Sequence, residues 1–240
     1  MPVTDSSTDS EANLYRYQDI EYRLTQSDRK TTSLFIERDG SVTVRAPLPY
    51  DMARIESIIE QKRSWIYRNL AEWEDLNRVQ VHREFVNGEG FPYLGRNYRL
   101  QLVDEQDDSL VLKNGRFFLR RDQVDAGMEV FKHFYRTKGV LRISKRLAHF
   151  APRMGVSYGS VRVMELQHRW ASCTDKGDLN FHWRCLMAPL DVLDYIVVHE
   201  LAHRLHRNHD AKFWDAVDKV LPDYQRQVGW LRHNGAGMKL

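Results

Sequence analysis

The run Val192, Leu193, Tyr195, Ile196, Val197 and Val198 leads directly into His199-Glu200-Leu201-Ala202-His203. A helix apolar on nearly every side is one threaded through the interior of a domain, and Pro189 with Asp191 supplies its start. Carrying a histidine and a glutamate along such a helix without partners would cost roughly 2–7 kcal/mol per buried polar group. The fold must therefore wrap this helix and satisfy the polar groups at its far end.

The spacing says how. Residues four apart on a helix share one face, so the imidazoles of His199 and His203 can converge on a single ion. Glu200 projects from a neighbouring direction, where its carboxylate can take a proton from a water and pass it to a leaving group. His-Glu-x-x-His on a helix is the pattern of a zinc hydrolase, in which zinc lowers the pKa of water to about 7 and no nucleophilic side chain is needed. A catalytic zinc takes three protein ligands, and two histidines compete to be the third. His206 sits on the same stripe but about 10.5 Å further along a continuing helix than His199, beyond the reach of a shared bond. His209 follows Asn208, which tolerates the left-handed conformation that ends a helix, and precedes Asp210, a good N-cap for the next one. His209 is the expected third ligand, with His206 as a supporting or packing residue.

These residues resemble the YgjP-like metallopeptidase domain, a zincin-type family related to the WLM and SprT-like domains. Arg169-Trp170-Ala171-Ser172-Cys173 is similar to the family's Arg-Trp-Gly-Ser-Cys signature, with alanine where the family has glycine. Leu179-Asn180-Phe181-His182-Trp183-Arg184 with Ala188-Pro189 resembles the lead into the metal helix. Asn208-His209-Asp210-Ala211-Lys212-Phe213-Trp214 and Leu221-Pro222-Asp223-Tyr224 resemble the closing segments, and Gly88-Glu89-Gly90-Phe91-Pro92-Tyr93-Leu94-Gly95 a marker nearer the N-terminus. The resemblance implies His199, His203 and His209 as ligands of Zn²⁺, Glu200 as catalytic base and a hydrolase acting on peptide or protein substrates. Some members of the family carry a nucleotide pyrophosphatase label, which makes a UTP-type pyrophosphatase one alternative; the WLM and SprT relationship and a basic helix make a DNA-associated or partner-binding module with a structural zinc the other. No Gly-rich phosphate loop or carboxylate cluster for Mg²⁺ supports the former, and Glu200 beside an open three-histidine site argues against the latter.

Composition narrows the setting. The chain has 240 residues, 42% hydrophobic and 29% charged, with a mean hydropathy of −0.59, as expected of a water-soluble globular protein. It shows neither a long apolar span nor a signal-like N-terminus, and only two cysteines, Cys173 and Cys185. A cytoplasmic protein without a disulfide framework and without a membrane partner is expected. Cys173 as a nucleophile beside His168 is rejected, because a structural cysteine is far commoner. The net charge of +3 is below what a dedicated nucleic-acid binder carries. Arg136, Lys138, Arg142, Lys145 and Arg146 read most simply as a solvated helix face, though a nucleic-acid or other phosphate-bearing partner is compatible with them.

The expected fold class is α+β: a zincin-like core with the metal helix on a small sheet, plus an N-terminal β-rich region. The boundaries read as a disordered tail over 1–15, a β-rich accessory region with one helix over 16–122, and the catalytic core over 123–240. Within these, strands at 33–36 and 42–45 flank a turn at Asp39-Gly40, and one helix runs from Asp51 to about Trp73 with Ile55, Ile58, Ile59, Trp65 and Ile66 on its apolar side. A second hairpin turns at Asn114-Gly115. A long helix from about Val124 to Arg153, with Gly139 as a kink or close contact, braces the metal helix. Leu179 to Trp183 is either the edge strand that takes an extended peptide or an interior strand of its sheet. Among His168, Arg169, Tyr195 and Tyr224 the second electrophile stays open, and no internal repeat is evident.

Overall fold

The computed structural model describes residues 13–28, 30–37, 40–77, 82–166 and 169–240. The expected tail over 1–15 therefore lies almost wholly outside the described residues. The chain divides into two units, residues 1–79 and 80–240, each with its own apolar core.

In the first unit, β1 (Asn13–Tyr17), β2 (Ile20–Ser27), β3 (Ser33–Ile36) and β4 (Val42–Pro47) form a sheet of order β1-β2-β4-β3. Outer pairs are antiparallel and the central β2–β4 pair is parallel. Alternation sends Ile20, Tyr22 and Leu24 to the same side, where they meet Val42, Val44 and Ala46, and Ile55, Ile59 and Ile66 complete the core. The single helix expected from Asp51 is two, α1 (Met52–Gln61), capped by the Asp51 side chain, and α2 (Arg63–Asn77). The break is at Lys62, whose amide bonds back to Glu60 and Ile58. No glycine or proline marks it. Trp65, expected on the apolar side, is 40% exposed.

The second unit opens with β5 (Gly90–Tyr93), β6 (Arg96–Val103), β7 (Leu110–Lys113) and β8 (Arg116–Arg120), in the order β5-β6-β8-β7. Asn114 and Gly115 both have positive φ, as the β7–β8 hairpin requires. The layout repeats the first unit's: antiparallel outside, parallel in the middle. Tyr17 and Tyr22-Arg23-Leu24 even recur with the same spacing as Tyr93 and Tyr98-Arg99-Leu100, and Gln18 and Leu94 occupy the same positive-φ turn position. The expectation of no internal repeat is corrected. Strand alternation preserves a topology with few identities, which leaves little for sequence comparison within one chain to find.

The boundary expected at 122/123 moves as well. Phe91, Leu100, Phe117 and Leu119 share one core with Phe131, Phe134 and Tyr135 of α3 (Gly127–Met154), and the rings of Phe91 and Phe131 stack at 4.2 Å. The second sheet thus belongs with the helix that carries His199. That sheet also holds the approach to it: Leu94 N and Gly95 N donate to the carbonyls of Leu186 and Met187 at 2.7 and 3.3 Å.

β9 (Val161–Met164), β10 (Ala171–Cys173) and β11 (Leu179–His182) make a third sheet, and α4 (Leu190–Ala202) follows. Ten of the 13 residues of α4 are buried, as its all-round apolarity demands. From the other side α3 braces it through a bidentate pair, Arg146 to Asp194 at 2.5 and 2.7 Å. Gly139 produces no break in α3; a Cβ there would sit 3.0 Å from Leu186 and 3.2 Å from Val163. Helices α5 (Ala211–Asp218) and α6 (Tyr224–Asn234) close the unit. The fold class is α+β, with six helices and three small sheets among the described residues. No helix among the described residues is long and apolar enough to cross a membrane.

Candidate metal centre

Helix α4 carries His199 and Glu200 in its last turn, and His203 is the C-cap, one residue past Ala202. Beyond it the chain tightens: the amides of Leu205 and His206 both bond to the Ala202 carbonyl at 2.9 Å. Asn208 does not adopt the left-handed conformation expected of it; the successive tight turns reverse the chain instead. Asp210 does cap α5, accepting from Phe213 N at 3.0 Å, and this fixes His209 immediately before that helix.

The result is that His199, His203 and His209 each present a ring nitrogen, and these nitrogens lie within 4.8 Å of one another. His199 Nε2 and His209 Nε2 are 3.0 Å apart, close to the roughly 3.3–3.4 Å expected between two nitrogens about 2.0–2.1 Å from a tetrahedral ion. His206 is not part of the cluster. Its contribution is its main chain: His203 Nδ1 is 3.3 Å from the His206 carbonyl, so Nδ1 donates and Nε2 keeps its lone pair. Tyr195 Oη lies 3.3 Å from Nδ1 of His199 and orients that ring likewise. Phe213, fully buried, packs against all three imidazoles with centroids 4.6–5.0 Å away. Trp214 packs on His209, and Tyr224 stacks on both Trp214 and Tyr195.

Desolvation in this aromatic setting disfavours the charged form of all three histidines, although His209 is itself exposed. The same desolvation pulls His199 down to about 3, helped by the neighbouring His203 and His209, and lowers His203 and His209 as well. Two neutral nitrogens whose lone pairs face each other at 3.0 Å repel unless a proton or a cation lies between them. Glu200 is only 5% exposed and its Oε2 has no hydrogen-bond partner; burial pushes its carboxyl up to about 8 against the opposing charge of Arg169. Neutral donors converging beside an unsatisfied carboxylate are what a divalent cation fits.

Other expected residues fall as follows. Leu179–His182 is the central strand of its sheet, between β10 and β9, so of the two readings the interior one holds and the edge reading is corrected; the edge packed beside α4 is β10. Pairing across the sheet is long-range, and local alternation does not reveal it. Cys173 is a half-buried thiol raised by burial and by Glu200, a poor nucleophile, and Cys185 is buried, its thiol donating to the Trp170 carbonyl at 3.2 Å. Of the candidate electrophiles, Tyr195 is engaged with His199, Arg169 lies near enough to Glu200 to lower it, and His168 is outside the described residues. Phe213 and Trp214 were not singled out as site residues; their adjacency to His209 in sequence was the available signal.

Compared with known proteins, residues 30–234 match the family model of the YgjP-like metallopeptidase domain. A comparison with curated proteins gave no match. Among solved structures, the metallopeptidase zymogen abylysin of Pyrococcus abyssi is 24% identical, over 37% of this chain and 90% of that one, with a TM-score of 0.35. That likeness is too slight to carry an argument.

Proposed function

The chain belongs to the YgjP-like metallopeptidase family, and from that premise we propose that it is a zinc-dependent peptidase whose ion is held by His199, His203 and His209. The observation that carries this reading is the convergence of three ring nitrogens within 4.8 Å beside the unpartnered Oε2 of Glu200. When bound, the ion supplies Lewis acidity, lowering the pKa of water and polarising the scissile carbonyl. The protein's own residues do the rest. The His206 carbonyl fixes the tautomer of His203, leaving its Nε2 free to ligate, and the Tyr195 hydroxyl orients the ring of His199. Phe213 packs on all three rings, while His209 stays exposed to solvent.

Glu200 is the base. Buried, it holds its proton at neutral pH until positive charge enters the site; ionised, its Oε2 accepts a proton from the attacking water and returns it to the departing amine. An extended peptide laid along β10, the sheet edge next to α4, would bring its main chain past this group.

The test compares metal content and peptide hydrolysis in three variants. His209→Ala is expected to lose zinc while His206→Ala keeps it, and Glu200→Gln to keep zinc while losing hydrolysis by at least about 100-fold. Retained hydrolysis in Glu200→Gln, or zinc lost with His206 and kept without His209, would overturn the assignment.

A further inference from the structure

Between Glu129 and Glu165 the chain holds no acidic residue, yet it holds eight lysines and arginines. All but Arg162 are on α3. Lys138, Arg142, Lys145, His149 and Arg153 recur about one turn apart, so they line up within roughly 80° of the helix circumference over about 22 Å. Lys138, Lys145, His149 and Arg153 are exposed, and Arg142 is half-buried. Two other cations of the helix are matched by carboxylates, Lys132 by Glu129 and Arg146 by Asp194; the row has no such ion pair among the described residues.

An ordinary solvated helix face interleaves the two signs, and like charges one turn apart destabilise a helix. With a whole-chain charge of only +3, the row is a local concentration, not a reflection of general basicity. Its character selects among anionic partners. Across this stretch the opposite side of α3 is committed to the core through Ile143, Leu147, Phe150 and Ala151, and the exposed Val140 and Leu141 are too few to make an apolar face that could enter a membrane surface. No aromatic side chain stands in the row to stack on unpaired bases. A straight, rigid line of cations at regular spacing matches a regular, rigid line of anions.

We propose that this face of α3 binds the phosphodiester backbone of double-stranded nucleic acid without reading its sequence. The proposal is independent of the peptidase reading, and Glu200→Gln is expected to bind as the parent protein does.

The test is fluorescence anisotropy at pH 8 with a labelled duplex of mixed sequence, titrated across salt concentrations. Four permanent cations predict a slope of log K against log salt of about −3 to −4. Replacing Lys138, Lys145 and Arg153 together by Gln is expected to weaken binding at least about 10-fold at low salt and to flatten the slope by about 2–3. Replacing Lys176, Lys219 and Arg226, which remove the same charge from elsewhere, is expected to change little. A thermal melt checks folding, and Lys145→Gln alone, at an exposed position, is expected to show about a third of the slope change if the triple variant is unstable. The proposal is overturned by absence of saturable duplex binding at low salt or by equal weakening in the two triple variants. Tighter binding of a single strand, of polyglutamate or of phosphatidylserine vesicles, lost on the same three substitutions, also overturns it.

Discussion

At the scale of single residues the site is set by burial working on groups that would rather be charged. His199 is lowered from 6.5 to about 3 and Glu200 raised from 4.5 to about 8, and these have opposite consequences for stability. A lowered histidine makes the metal-free fold gain stability as pH rises toward 6.5, whereas a raised carboxyl makes it lose stability as pH rises from 4.5 to 8. The two oppose each other below 6.5, and only Glu200 acts between 6.5 and 8. Melts of the chelated protein are thus expected to fall across that upper window by at most about 1.4 kcal/mol per pH unit, and Glu200→Gln to remove the fall; an unchanged slope in the variant would show that Glu200 is not the group responsible. Tyr195→Phe tests orientation. It leaves the ring packing and removes the hydroxyl beside His199 Nδ1, so zinc affinity measured by chelator competition is expected to weaken about 10–100-fold.

At the scale of elements, close approaches between segments hold α4 in place. Gly95 has φ +77°, and a Cβ there would lie 2.8 Å from Pro189 Cα at the start of α4. Gly95→Ala therefore meets both a strained backbone and main chain that cannot yield, and a loss of about 2 kcal/mol or more in denaturant unfolding is expected. Asp210→Ala removes the cap of α5 at a cost of about 1 kcal/mol, and because His209 precedes that cap, zinc affinity is expected to fall with it; unaltered affinity would mean that His209 is positioned by something else. The contrast between these segments explains what could be read in advance. His199, Glu200, His203 and His209 fall in one short stretch of chain, where helix geometry and a capping aspartate suffice to bring them together. The place of Leu179–His182 in the middle of its sheet depends on β9 and β10 arriving from either side, which no local pattern encodes. Nor does any local signal mark the break at Lys62, where a main-chain amide, with no breaker residue, ends α1.

At the scale of the whole molecule, two cores divide the labour. Every candidate ligand, and every side chain packed on one, is in residues 80–240. Adding zinc at about 1,000 times its Kd is expected to stabilise that unit by about 4 kcal/mol. Hydrogen exchange should show this as slower exchange in α4, α5 and the turns between them, with β1–β4 and α1 unchanged. Equal protection in both units would mean that the cores are energetically joined. The boundary itself was hard to place because β5–β8 resemble an accessory sheet in composition and reveal their allegiance only through Phe91 and Phe117 against Phe131. The four-stranded layout appears once beside the histidines and once in a unit that has none of the candidate ligands. Two copies of one layout, only one of them sharing a unit with the candidate ligands, mean that the layout by itself does not specify the chemistry. Its recurrence next to unrelated helices in other chains would then say nothing about catalysis.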